Sequence, residues 1–278
     1  MIVIQVEQGS PAWHSARVGI PTASRFAIAV DVIPSDDRVK KDGTPYKERE
    51  RADGKVAGDP SPASDALLDE YAVEQISGEP YGDVFQTFAM KRGSEQEQWA
   101  RVRYEELYSC EVTESGICLT DDRAFGYSTD GFVGDDGLIE IKTPLSLGKI
   151  RHILETDDDS EYLMQVMGGL WISGRKWCDL VMYVPALSNI GNDIYVKRIY
   201  RDEEFIAKLE LDLWAFHLRL AGAVAFWRKQ FRRDGLDQKI VDVDVRVVAP
   251  WDELPGVPAA KPKPPRALRS SLASLLLA

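Results

Sequence analysis

The stretch Asp130-Gly131-Phe132-Val133-Gly134-Asp135-Asp136-Gly137-Leu138-Ile139-Glu140-Ile141-Lys142 decides how this chain reads. Successive side chains of a strand point to opposite faces, so Glu140 and Lys142 project together while Ile139 and Ile141 pack on the other side. The Gly134-Asp135-Asp136-Gly137 segment has turn composition and can fold the preceding strand back antiparallel, which brings Asp130 beside Glu140. Two clustered carboxylates suit Mg²⁺ or Mn²⁺, hard cations that take oxygen ligands and keep several waters for a phosphate to displace. An ammonium beside such an ion can hold or help deprotonate a water attacking phosphorus, and can offset charge growing on the phosphoryl oxygens. This is a constellation for phosphodiester hydrolysis. Taken alone it is also a surface hairpin with a Glu140–Lys142 ion pair, a common arrangement of little energetic weight. The rest of the chain separates the two.

Around that stretch the pattern predicts strands at 110–119, 123–133 and 137–143, then a helix over 160–173 and strands near 178–185 and 193–199. Upstream, a short strand at 2–6 precedes a turn at Gly9-Ser10-Pro11 and a helix bearing Trp13, His14 and Arg17. Thr22 or Ser24 can cap a further helix through Phe26 and Ile28. Residues 34–63, rich in Pro, Gly, Asp, Lys and Arg, read as a long mobile loop; helices follow at 64–76 and 86–108, and a long one spans 202–233. This order predicts an α/β fold, a mixed sheet with helices on both faces. We read residues 1–250 as one catalytic domain. Residues 251–278 read as a Pro-rich linker ending in a basic, apolar segment able to fold on a partner.

Composition bounds the function less sharply. The chain has 278 residues, 44% of them apolar, and can bury a substantial core as one large domain. No apolar run reaches transmembrane length and the N-terminus lacks signal-peptide character, so the expected location is cytoplasmic, with no membrane partner. Three scattered cysteines, Cys110, Cys118 and Cys178, fit neither a disulfide framework nor a zinc site and are expected reduced and buried. A net charge of −11 opposes nucleic-acid binding at first sight. An acidic outside with an inner groove gathering Arg17, Arg25, Lys40, Lys41 and Lys142 would still suit an enzyme that encloses DNA.

Five blocks in order then carry a resemblance. These are Val6-Glu7-Gln8-Gly9 with Ala12-Trp13-His14, Arg17-Val18-Gly19-Ile20 and Thr22-Ala23-Ser24; Gly93-x3-Glu97-x2-Ala100-Arg101; Ser128-Thr129-Asp130-Gly131; Glu140-Ile141-Lys142-Thr143-Pro144; and Tyr162-Leu163-Met164-Gln165-Val166. Together they resemble the family of phage lambda exonuclease and the YqaJ-type viral recombinases, over about residues 6–185. The ordered set is far more specific than any member of it.

The resemblance implies a PD-(D/E)xK restriction-endonuclease-like core. It also implies an Mg²⁺-dependent exonuclease, with Mn²⁺ as a substitute and one or two ions per site, that degrades one strand of linear duplex DNA from its 5′-phosphate end to mononucleotides. Relatives close into a homotrimeric ring around DNA and leave a 3′ overhang for recombination with a single-strand annealing protein, in a phage or prophage setting. Carried over residue by residue, Asp130, Glu140 and the Ile141 carbonyl would bind metal. Lys142 would position the nucleophilic water, Glu97 would support the metal or its waters, and Gln165 would orient lysine and water. Arg17, Ser24 and Ser128 match positions that grip the terminal 5′-phosphate. Thr129 stands where the family often has proline. A phosphate-binding arginine of relatives is replaced near Gly148, with Lys149 as a substitute point charge. An acid at Asp121 or Asp122 could also serve the site. Two other functions fit the same residues: a structure-specific or single-strand nuclease without a ring, and a catalytically silent DNA-binding scaffold.

Overall fold

The structure, a computed structural model, describes residues 1–35, 53–81 and 88–231. Its centre is a five-stranded sheet in the order β2 (Val112–Thr113), β5 (Gly131–Val133), β6 (Gly137–Lys142), β7 (Trp177–Tyr183), β8 (Ile194–Tyr200). Only the β6–β7 pair is parallel. A second sheet orders β1 (Ile2–Ile4), β3 (Ile117–Leu119) and β4 (Gly126–Ser128), antiparallel throughout. A parallel pair needs a crossover, and here it is α5 (Leu147–Thr156) followed by α6 (Ser160–Ser173). The remaining helices are α1 (Pro11–Ser15), α2 (Phe26–Ala29), α3 (Pro62–Ser77), α4 (Phe88–Tyr108) and α7 (Glu203–Gln230).

The strands alternate as their period demands. Leu138 on β6 and Cys178, Leu180 and Met182 on β7 join Val166, Met167 and Leu170 of α6 and Leu209, Leu213 and Phe216 of α7 in the main core. The intervening Ile139, Ile141, Val181 and Tyr183 face Ala100 and Tyr104 of α4. Helices thus cover both faces of the central sheet, which is why β6 and β7 carry few polar residues. On β7 the exception, Asp179, is buried but receives the Tyr104 hydroxyl at 2.7 Å and both Arg198 Nε and Nη2, at 2.7 and 2.8 Å. A buried carboxylate is tolerated only with such partners.

Helix ends follow capping rules. Ser61 accepts from the Ser64 N–H at 3.1 Å ahead of Pro62, and Asp202 accepts from Glu204 and Phe205 N–H at 2.9 and 3.0 Å at the start of α7. α3 stops at Gly78, whose φ of 73° is the left-handed conformation glycine adopts without strain.

The structure departs from the sequence expectations in five places. The helix expected to carry Arg17 is a single turn, Pro11–Ser15, and Arg17 follows it. The helix expected through Phe26 and Ile28 is a 3₁₀ turn, Ala23–Arg25, running into α2. The strands expected at 110–119 and 123–133 each break in two, and each break is where the chain passes from one sheet to the other. Close packing marks the first break: a Cβ on Gly116 would fall 2.1 Å from the Ile4 carbonyl oxygen. The α5 helix was not anticipated, because it is short and bracketed by Pro144 and the acids 157–159; a Ser146 cap and the buried Ile150 and Ile153 hold it. Of the loop at 34–63, residues 53–60 make turns, Val32 bridges Pro60 and α3 begins at Pro62, while 36–52 lie outside the described residues. The expected boundary at 250 and the 251–278 segment lie outside them as well. All three cysteines are free, with Cys118 and Cys178 buried and Cys110 only partly so.

The parallel pairing sets Gly137 opposite Trp177, and a Cβ at Gly137 would meet the indole ring at 2.2 Å. Gly137→Ala should therefore destabilise the protein by about 2 kcal/mol through overpacking, read as a lower urea midpoint. An unchanged midpoint would show that the ring moves aside without cost.

Candidate active site

The hairpin closes in the register the sequence implied. Gly131 pairs with Ile139 and Val133 with Gly137, so Asp130 stands at the level of Glu140. The β5–β6 ladder ends at Gly131, and the Ile141 N–H beyond it donates instead to Asp130 Oδ2 at 2.6 Å. A strand residue presents N–H and C=O to the same edge, so the Ile141 carbonyl lies on the Asp130 side too. Asp130 sits at the passage from β4 to β5, directly after the sheet change. Thr129 shapes that passage: its hydroxyl donates to the Gly131 carbonyl at 3.0 Å and accepts from the Gly131 N–H at 3.1 Å. It does with a side chain what a proline would do with its ring.

Glu140 is nearly fully buried, at 2% exposure, and heavily bonded. Lys142 Nζ donates to its Oε1 at 2.7 Å, Gln165 Nε2 donates to the same oxygen, and the Tyr127 hydroxyl donates to Oε2 at 3.1 Å. Lys142 also donates to Gln165 Oε1 at 3.1 Å, closing a Glu140–Lys142–Gln165 triangle between β6 and α6. Glu97 on α4 is held by Arg101 at 3.2 Å, and Arg101 also reaches Glu114.

Electrostatics show strain among the acids. Burial, then Glu140 and Glu97, push the Asp130 carboxyl well above its ordinary range. Burial and Glu140 likewise raise Glu97 against the pull of Arg101. Burial alone would lower Lys142, but Glu140 and Asp130 outweigh it and leave the ammonium favoured. Among the described residues no cluster of three His, Cys, Asp or Glu side chains forms a metal cage. Two acids and a carbonyl instead form the sparse oxygen set that suits Mg²⁺ or Mn²⁺. The raised carboxyls, repelling one another in a buried site, are what a divalent cation would relieve, so the residues fit the ion.

A second group adjoins this one. The Arg17 guanidinium lies over the Trp13 ring, 4.0 Å from its centroid, and donates to Thr22 Oγ1 at 3.0 Å and Ser128 Oγ at 3.4 Å. Trp13 Nε1 donates to Ser128 Oγ at 3.0 Å, and Ser24 Oγ lies 3.4 Å from Thr22 Oγ1. Among the described residues no carboxylate forms a salt bridge with Arg17. Burial lowers its pKa to about 10, with nearby Arg25 adding to the effect and Tyr71 and Glu74 opposing it. This half-buried cation, without a carboxylate partner among the described residues, fits an oxyanion.

One cleft of about 1820 Å³ is lined by all ten residues singled out from the sequence: Arg17, Ser24, Glu97, Ser128, Asp130, Glu140, Ile141, Lys142, Lys149 and Gln165. Lys149 stands half-exposed in an ion pair with Glu161. The expected basic groove is narrower than predicted, because Arg25 is engaged by Glu70 at 2.8 Å and does not line the cleft. Lys40 and Lys41 lie outside the described residues. Asp121 pairs with the N-terminus and Asp122 with Thr120 and the Ala124 N–H, and neither lines the cleft. Trp13 is half-buried as the floor under Arg17. Sequence reasoning missed Thr22 and Tyr127. Thr22 was read as a helix cap, and Tyr127, two residues before the Thr129-Asp130 passage, carried no separate signal.

A mixed sheet covered by helices on both faces, with an acid opposite a Glu-x-Lys strand end, defines the PD-(D/E)xK fold class. The chain belongs to the YqaJ-like viral recombinase family, whose model matches residues 12–176. Among solved structures, an alkaline exonuclease (LHK-Exo) from Laribacter hongkongensis is similar at 29% identity and a TM-score of 0.62, covering 80% of this chain and 97% of its own. Its complex with dAMP matches at the same identity and coverage, with a TM-score of 0.63. A phage related exonuclease from Haemophilus somnus 129PT shares the fold at 13% identity and a TM-score of 0.55, covering 75% of this chain and 96% of its own. No curated protein matches the chain.

Proposed function

We propose that the protein is a divalent-metal-dependent 5′-to-3′ exonuclease that degrades one strand of linear duplex DNA. The observation that carries this reading is the single cleft, which holds the Asp130, Glu140 and Lys142 set together with Arg17, a cation without a carboxylate partner among the described residues. Family membership and the 29%-identical alkaline exonuclease support an exonuclease of phage type.

In this reading Asp130, Glu140 and the Ile141 carbonyl hold Mg²⁺, or Mn²⁺ in its place, as one or two ions. Bound there, the metal supplies Lewis-acid polarisation of the phosphoryl group and lowers the pKa of a water. Lys142 holds the attacking water and offsets phosphoryl charge. Gln165, bonded to both Lys142 and Glu140, keeps the ammonium and the carboxylate in register. Glu97 supports the metal's waters. Arg17, Ser24 and Ser128 grip the terminal 5′-phosphate, with Lys149 at the rim. Ser128 precedes Asp130 by two residues, at most about 7 Å of backbone, so the terminal phosphate is held next to the bond to be cut. That adjacency sets the register for removing one nucleotide at a time.

A homotrimeric ring around the duplex and a single-strand annealing partner for the 3′ overhang complete the proposal, in a bacterial cytoplasm and a phage or prophage setting. Among the described residues no helix is long and apolar enough to cross a membrane.

The test uses linear duplex labelled separately at each 5′ end, with and without a 5′-phosphate, in Mg²⁺ and in chelator. The expected result is Mg²⁺-dependent release of 5′ label as mononucleotide, faster from phosphorylated ends. Early release of 3′ label, or internal nicking of closed circles, would overturn the polarity or the exonuclease assignment. The mass of the protein in solution tests the ring.

A further inference from the structure

The bonds to Glu140 are unequally divided between its oxygens. A carboxylate offers about four acceptor positions, two on each oxygen. Lys142 and Gln165 both donate to Oε1, while among the described residues Oε2 receives only the Tyr127 hydroxyl. The open acceptor position of Glu140 therefore lies on Oε2, beside the Tyr127 bond. Tyr127 is 1% exposed on β4, a strand of the other sheet, so the bond ties the Glu140 head to a separate rigid element.

Room for the ring is made by α6. A Cβ at Gly169 would fall 2.6 Å from Tyr127 Cζ, the carbon that bears the hydroxyl, and 2.7 Å from Cε1. Gly169 lies one helical turn beyond Gln165, so the same helix seats the Tyr127 ring and supplies a donor to the other Glu140 oxygen. Glu140 is thus gripped from both sides by groups that α6 sets in place.

We propose that Tyr127 is a positioning residue for Glu140, whose hydroxyl orients the carboxylate oxygen left to bind the divalent ion, in a seat kept open by Gly169. This rests on the metal-dependent reading above and goes beyond it in naming what fixes the metal ligand. Groups that bond a metal ligand from behind commonly change metal affinity by ten- to a hundredfold when lost.

The test measures Mn²⁺ binding by calorimetry on the full chain, with no DNA and no turnover. Tyr127→Phe keeps the ring and removes only the donor, so its melting temperature in chelator should stay within a few degrees of wild type, while its Kd for Mn²⁺ rises about tenfold. Gly169→Ala keeps the hydroxyl but displaces the ring, and should weaken Mn²⁺ in the same direction. A purely structural role would lower the chelator melting temperature and leave the Kd of the folded fraction unchanged. Wild-type affinity in both variants would overturn the inference while leaving the metal reading intact; a wild-type protein that bound no Mn²⁺ would sink both.

Discussion

Lys142→Ala is expected to lower metal-dependent release of mononucleotide by about 10³-fold while the protein melts near the wild-type temperature. The side chain sits at the end of β6, where it touches Glu140 and Gln165 and contributes to no apolar cluster. Its removal leaves Glu140 with the Tyr127 and Gln165 donors, so no buried acceptor is orphaned. What is lost is the ammonium that donates to Glu140, at the place where phosphoryl charge would grow. Lys142→Arg should recover little, because a planar fork does not reproduce a compact ammonium held in a triangle. Single-turnover kinetics on a 5′-phosphorylated duplex, with melting followed in parallel, decide it. A Lys142→Ala enzyme within tenfold of wild type would remove the lysine from the mechanism.

Arg17→Ala should abolish the preference for 5′-phosphorylated over 5′-hydroxyl ends and lower kcat/KM on phosphorylated ends by about 10- to 100-fold. That range follows from losing a charge-assisted bond of about 1.5–3 kcal/mol. The guanidinium is already oriented, over Trp13 and between Thr22 and Ser128, so little ordering cost opposes phosphate binding. Rates on hydroxyl ends should barely change, which separates a lost phosphate contact from general damage. Rates that fell equally on both kinds of end would assign Arg17 to the fold and not to the substrate. Arg17→Lys should restore part of the preference, as a point charge without the fork.

The acidic half of the candidate site, Asp130, Glu140 and Lys142, was legible in the sequence because it is local. One hairpin fixes Asp130 against Glu140, and strand alternation places Lys142 beside Glu140, so residues within a short span needed only the pleat and the turn to be positioned. The Arg17 and Ser128 half was singled out only through family resemblance. Arg17 and Ser128 lie far apart in the chain, and no periodicity links them or shows that Trp13 floors the guanidinium. Arg25 shows the opposite failure, since a basic residue in the right neighbourhood was already engaged by Glu70.

By itself, then, the sequence determined the α/β class, most of the long helices and the acid-acid-lysine set, since each depends on side-chain period and nearby turns. The tertiary structure alone decided where the strands at 110–119 and 123–133 divide between two sheets, and that division delivers Asp130, Ser128 and Tyr127 to their places. It also decided which cations stay unpaired. Both depend on contacts between residues distant in the chain, formed when α6 packs its glycines against Phe26 and Tyr127 and draws the two sheets around one cleft.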